Sequence, residues 1–159
     1  DGATWRKLGG AYFDAGQFDN AVHAYGRAAE TSPNSALAWS SLGEARVMAS
    51  KTDPMPAEAL ADFRKAIAID PNAKLPDTRM ALAQLHRQAK EWDKAQALYD
   101  RCIKEYEGNT AKQAETYLLM AQMAEEKGDE ANKILEAYTK ALLAAAINLE
   151  AAPEGVVAQ

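Results

Sequence analysis

A set of residues that recurs along the chain limits the possible fold more than any other feature. The first copy runs Trp5, Leu8, Gly9, Tyr12, Ala21, Tyr25, Ala28 and Pro33. The second copy runs Trp39, Leu42, Gly43, Ala59, Phe63, Ala66 and Pro71. Large residues three or four positions apart lie on one face of a helix, and glycine and proline mark helix ends. A repeat of about 34 residues therefore predicts stacked two-helix units.

The order and spacing of these residues resemble the tetratricopeptide repeat, a two-helix unit that stacks into a superhelix. The resemblance implies an all-α fold, an α-α solenoid of about four pairs and eight helices. We expect one domain over residues 1–152, a long capping helix at its C-terminal end, and a flexible tail at 153–159. The expected repeats cover about 2–35, 36–73, 76–109 and 111–147.

The second, third and fourth repeats depart from the pattern of the first. The second repeat is lengthened at 49–56, which reads as a loop because it holds two prolines and an aspartate. This insertion is either a tolerated surface loop or a segment that reaches toward a partner. In the third repeat Arg79 replaces the tryptophan, and Lys90 stands where Gly16 ends the first helix. The fourth repeat is the weakest match, and its last helix is expected to run to about Glu150.

Composition and motifs argue against several classes of function. The net charge is −5, whereas nucleic-acid and anionic-membrane binding need basic surface. The longest apolar run, 141–147, is too short to cross a bilayer, so we expect no membrane insertion by this segment. Cys102 is the single cysteine, and His23 and His86 are far apart in sequence. We therefore predict no enzyme activity, no catalytic residues, no metal site and no cofactor.

In the tetratricopeptide family the first helix of each pair lines a concave groove that holds a peptide or a helix of another protein. The resemblance thus implies a module for protein–protein interaction. The groove-facing positions include apolar residues that would anchor a partner, although several of them could instead be buried between helices. The candidate groove residues are Arg6, Lys7, Phe13, Asp14, Ser40, Glu44, Val47, Met48, Met80, Gln84, Arg87, Gln88, Leu118, Leu119 and Gln122.

Some family members bind a C-terminal carboxylate with paired basic and asparagine side chains. Here Arg6 is one basic group, but Gly10 and Ser41 stand where asparagines are expected. Asp77 and Ala81 stand where the second basic pair is expected. The sequence therefore predicts that no such clamp is present.

Two further roles remain open at this point. The lengthened second repeat and the segment 66–71 look similar to repeat domains of periplasmic cytochrome c maturation factors, which hold apocytochrome c. That resemblance favours the bacterial periplasm, and without it a cytoplasmic location is expected. The start at Asp1 without methionine is expected of an excised or processed domain. The alternative role is a structural one, in which uncovered ends of the repeat stack make the chain a homo-oligomer.

Overall fold

The computed structural model describes residues 1–50 and 55–150, and this part of the chain folds into eight α-helices with no strand. Short connections join consecutive helices, so neighbouring helices run antiparallel. The all-α expectation is confirmed. The helices are α1 (Gly2–Asp14), α2 (Phe18–Thr31), α3 (Ala36–Ser50), α4 (Ala57–Ile69), α5 (Pro76–Gln88), α6 (Trp92–Glu105), α7 (Thr110–Lys127) and α8 (Ala131–Glu150).

The chain divides into two compact units, and the boundary lies within α5. Unit 1 covers Asp1–Leu82 and unit 2 covers Ala83–Gln159. Within unit 1, α1 packs on α2, α2 on α3, and α3 on α4. Within unit 2, α6 packs on α7 and α7 on α8. The predicted loop at 49–56 lies partly outside the described residues, and the predicted tail at 153–159 lies wholly outside them.

Two glycines of unit 1 allow an aromatic ring to lie directly against a helix backbone. A Cβ atom at Gly9 would meet the Tyr25 ring at 2.6 Å, and a Cβ at Gly43 would meet the Phe63 ring at the same distance. Both distances are far inside van der Waals contact, so only glycine fits. The repeated Leu-Gly pair is thus explained by packing between the two helices of each pair.

Trp39 and Arg79 perform the same task at the start of successive first helices. The Trp39 Nε1 donates a hydrogen bond to the Pro33 carbonyl at 2.9 Å. Arg79, buried in the tryptophan slot, donates from NH1 to the Ala73 carbonyl and from NH2 to the Pro71 carbonyl, both at 2.7 Å. Each side chain fixes the turn that precedes its own helix. Arg79 therefore departs from the repeat pattern in residue type but makes the same kind of contact as the tryptophan.

The turns of the first and third repeats have the same backbone form despite different residues. Gly16 follows α1 with φ 71°, and Lys90 follows α5 with φ 57°. This left-handed region is free for glycine and costs energy for a residue with a Cβ. The turn after α7 also uses a glycine, Gly128, with φ 78°. The structure therefore keeps the turn even where the sequence lacks the preferred residue.

The last helix, α8, is described as far as Glu150 and leaves an apolar face open. It packs on α7 and Ala141 is buried, while Leu135, Leu142, Leu143 and Ile147 are exposed. No helix among the described residues has the length and apolar character needed to span a membrane.

Candidate partner-binding site

Unit 1 contains a cavity of about 330 Å³. Its walls come from α1, α3, α4, the start of α5 and the residue Met55, which precedes α4. All but two of the lining side chains are apolar. The lining residues are Phe13, Glu44, Val47, Met48, Met55, Phe63, Asp77 and Ala81. A partly enclosed apolar cavity near this size accepts side chains of a partner.

Aromatic packing holds the cavity walls in place. The Phe63 ring is 2 % exposed and lies against Gly43, so it forms a fixed wall. Phe13 packs edge-to-face on Phe18, with ring centroids 5.3 Å apart. Met48 is 43 % exposed and is free to adjust to a ligand. The cavity therefore combines a rigid wall with an adaptable rim.

Glu44 is the polar group that lines this cavity from α3. Its Oε1 accepts a hydrogen bond from the Ser40 hydroxyl at 3.1 Å. Burial raises the pKa of Glu44 above its usual range, the Ser40 hydrogen bond opposes that rise, and the negative charge of Asp77 adds to it. The carboxylate is thus held in an environment that disfavours its ionised form.

Unit 2 contains a more polar cleft of about 560 Å³ that includes Arg87 and Glu126. The Arg87 Nε donates to one Glu126 oxygen at 2.9 Å and its NH2 to the other at 2.6 Å. This bidentate pair raises the pKa of Arg87 and lowers the pKa of Glu126. The guanidinium at this position is therefore already neutralised from within the unit.

The candidate residues predicted from the sequence fall into several environments in unit 1. Phe13, Glu44, Val47 and Met48 line the cavity together. Arg6, Lys7 and Asp14 lie on α1 outside the cavity lining. Ser40 and Met80 are buried, with 2 % and 9 % of their surface exposed. The side chain of Ser40 acts on the cavity indirectly, through Glu44.

In unit 2 the predicted residues divide between α5 and α7. Gln84, Arg87 and Gln88 line the polar cleft. Gln122 approaches Arg87, whose NH1 lies 3.5 Å from the Gln122 Oε1. Leu118 is exposed and Leu119 is half-buried, and neither lines the cleft.

Four residues that line the cavity of unit 1 are absent from the predicted set: Met55, Phe63, Asp77 and Ala81. Phe63 follows the repeat pattern of a packing residue, and that pattern does not reveal that its ring also faces an open space. Asp77 and Ala81 precede Gln84 at helical spacing, which is a signal that sequence reasoning can use. Met55 lies in the lengthened segment, where no periodicity guides an assignment.

The remaining reactive residue types are placed in structural roles. Cys102 is fully buried. The Nδ1 of His86 contacts the Glu91 carboxylate, and His23 packs edge-to-face on Trp5. Across residues 1–50 and 55–150, no group of three or more His, Cys, Asp or Glu side chains is arranged to hold a metal ion.

Comparison with protein families finds repeats of one kind in both units. A model described as TPR repeat matches residues 9–48, and a model described as tetratricopeptide repeat matches residues 77–109. These two segments are therefore similar to tetratricopeptide repeats, as the sequence pattern predicts. A comparison with curated proteins finds no significant match.

Solved structures of similar fold include two crystal structures of MamA. One has a TM-score of 0.72 and 23 % identity, with 94 % of this chain and 81 % of that chain covered. The other has a TM-score of 0.71 and 23 % identity, with 95 % and 76 % covered. A complex of the yeast Sti1 TPR2B domain with pHsp70 has a TM-score of 0.53 and 24 % identity, with 89 % and 96 % covered. At these identities the likeness concerns the fold.

The matched family models and these three structures give no support to the resemblance to cytochrome c maturation factors. The features that prompted it were the lengthened second repeat and the segment 66–71. Both are compatible with an ordinary tetratricopeptide repeat, because an insertion between helices leaves the packing of each pair intact.

Proposed function

We propose that this chain, with its tetratricopeptide repeats, is a non-enzymatic module that binds a peptide or a helix of a partner protein. The observation that carries the proposal is the apolar cavity of unit 1, which unites residues of α1, α3, α4 and α5. A preformed cavity lowers the entropic cost of ordering the binding surface, and a few apolar anchors then set the affinity. The Sti1 domain, which has the same fold, is solved in complex with pHsp70.

The exposed side chains support a site on this face of unit 1. Met48 is one of the large apolar residues that remain accessible, and it lies at the cavity rim. Val47 lies next to it and also lines the cavity. A partner side chain that enters between them would bury apolar surface, which is the main favourable contribution to binding.

The test is a pair of matched substitutions of exposed apolar residues in unit 1. Met48 and Leu8 are 43 % and 41 % exposed, but Leu8 lies outside the cavity. Peptides selected from a display library against the purified chain are measured by fluorescence anisotropy. We expect Met48→Asp to weaken their binding by about tenfold or more, since it places a charge at an apolar contact, and Leu8→Asp to leave it unchanged.

Circular dichroism checks that both variants keep the helical fold. Equal binding by wild type and Met48→Asp would contradict the assignment of the binding site to this cavity. Equal loss in both variants would point to a general effect of added negative charge.

A second candidate function is self-association through α8. The specific observation is its open apolar face, where Leu142 and Leu143 are 71 % and 62 % exposed. Exposed apolar faces at the end of a repeat stack are sites where another copy packs. Light scattering over a range of concentrations tests this. A dimer that dissociates in the Leu142→Glu variant supports it, and a monomer at every concentration contradicts it.

A further inference from the structure

The cavity of unit 1 places a carboxylate without a cationic partner beside apolar walls. Ser40 is the one hydrogen-bond partner of Glu44 in the part of the chain that the structure describes. Two other acidic side chains of unit 1 are paired with arginine. Asp62 contacts Arg46, and Glu30 contacts Arg27 at 2.8 Å. Glu44 differs from Asp62 and Glu30 because none of the described residues forms a salt bridge with it.

Two buried hydroxyl groups hold Glu44 in a fixed orientation. The Ser40 hydroxyl has a single hydrogen, which it donates to the Glu44 Oε1. Ser40 and Thr78 are also 2.7 Å apart between their hydroxyl oxygens, so Thr78 is the donor in that bond. Thr78 is fully buried. The chain of hydrogen bonds from Thr78 through Ser40 holds one carboxylate oxygen, Oε1, while no described residue donates a hydrogen bond to Oε2.

The electrostatic environment of Glu44 favours the approach of a cation. A carboxylate accepts about four hydrogen bonds, and Glu44 receives one from Ser40. Asp77 lines the same cavity and its negative charge acts on Glu44. A positive group at this place would stabilise the Glu44 carboxylate, whereas a negative group would add repulsion.

Building on the binding function above, we propose that the partner segment carries an apolar side chain beside a lysine or arginine. The apolar side chain enters the cavity between Met48 and Phe63. The adjoining cation pairs with the free oxygen of Glu44. Apolar contact supplies most of the affinity, and the charged pair selects the segment, because a partly buried carboxylate penalises any ligand that leaves it unpaired.

The experiment uses short synthetic peptides with blocked ends and a central leucine. Three sets differ only at the positions that flank the leucine, which are lysine, serine or glutamate. Binding to the full chain is measured by fluorescence anisotropy. We expect wild type to prefer lysine-flanked over glutamate-flanked peptides by about tenfold or more, because a lysine pairs with the Glu44 carboxylate whereas a glutamate is repelled by it.

Substitution of Glu44 then separates the charged contact from the apolar one. We expect Glu44→Gln to weaken binding of lysine-flanked peptides by about tenfold and to leave serine-flanked peptides unchanged. Glu30→Gln is the matched control, since it removes the same charge from α2 at an exposed position outside the cavity. The control is expected to keep the lysine preference of wild type.

The possible outcomes distinguish this inference from the proposed function. If wild type binds all three sets equally, or if Glu44→Gln retains the lysine preference, the inference is overturned while binding in the cavity stands. If no peptide binds, or if Met48→Asp leaves binding intact, both fail. If Met48→Asp instead converts a dimer into a monomer, a second copy of the chain occupies the cavity and the inference is overturned.

Discussion

Unit 1 and unit 2 each hold a charged side chain beside an open cleft, and the two charges have opposite surroundings. In unit 2, Arg87 is neutralised by a bidentate pair with Glu126. In unit 1, Glu44 receives one hydrogen bond from Ser40 and is raised in pKa, chiefly by burial. The charge of Arg87 is thus paired within unit 2. The charge of Glu44 in unit 1 remains available to a ligand.

The difference indicates where recognition is expected. A partner at the unit 2 cleft would have to compete with Glu126 for the guanidinium of Arg87, at a loss of two charge-assisted hydrogen bonds. A partner at the unit 1 cavity displaces no ion pair of Glu44 with any described residue. Functional sites commonly retain such locally unfavourable arrangements, because stability and binding make different demands on the same residue.

The largest effect is expected from filling the contact that glycine permits in unit 1. Gly43→Ala would place a Cβ atom 2.6 Å from the buried Phe63 ring. We expect the free energy of unfolding to fall by about 1–2 kcal/mol, since the clash outweighs the better helix propensity of alanine. Urea denaturation measures the change, and hydrogen exchange of amides in α3 and α4 locates it in unit 1.

Gly26 provides the control, because a Cβ there meets no atom within 4 Å. Gly26→Ala is expected to raise the free energy of unfolding by about 0.5–1 kcal/mol. A gain in stability at both positions would show that the Phe63 ring moves aside freely. The contact at Gly43 would then not be a fixed part of the cavity wall.

A smaller effect is expected from exchanging the turn residues of the two units. Lys90→Gly relieves a left-handed conformation in unit 2, and we expect a gain of about 1 kcal/mol in the free energy of unfolding. Gly16→Lys imposes the same conformation on lysine in unit 1 and is expected to cost a similar amount. Thermal and urea unfolding measure both variants. Changes of the same sign would contradict the equivalence of the two turns.

The smallest effect is expected from neutralising one glutamate in each unit. The two substitutions should change the free energy of unfolding in opposite directions. The pKa of Glu44 is raised in the folded chain, so its ionisation lowers stability as pH rises through the normal glutamate range. Glu44→Gln should therefore increase stability at neutral pH. The gain should disappear when the pH falls below the unfolded pKa of glutamate, about 4.3.

For Glu126 the pKa is lowered by the hydrogen bond from Arg87. Its ionisation therefore raises stability instead of lowering it. Its contribution to stability is present above the unfolded pKa and is lost as pH falls through the folded pKa. Glu126→Gln should lower the free energy of unfolding at neutral pH, by less than about 1 kcal/mol because the pair is partly exposed. Urea denaturation at several pH values measures both variants, and equal signs at neutral pH would remove the contrast between the units.

Much of the fold is predictable from local patterns. The spacing of Trp5, Leu8 and Tyr12 places them on one helical face, and Gly16 and Pro33 mark where helices end. Trp39 and Arg79 have the same role although their residue types differ. Both side chains donate hydrogen bonds to the preceding turn, and residue type alone does not show this equivalence.

The candidate site was predictable in part. Phe13, Glu44, Val47 and Met48 are predicted to face a groove, and the structure brings them to one cavity. Ser40 fits the same pattern yet is buried, and its hydroxyl is hydrogen-bonded to that of Thr78 on α5. Helical spacing specifies on which face of a helix a residue lies. It does not specify whether another helix covers that face.

The sequence by itself determined eight helices and their pairing, because helix periodicity and turn residues act over a few positions along the chain. Only the tertiary structure decided which charges are satisfied. Glu44 and Arg87 are both predicted to face a groove, but Glu44 meets the Ser40 hydroxyl and Arg87 meets Glu126. Their pKa values depend on burial and on distances between atoms of different helices, and those distances arise only when the helices pack.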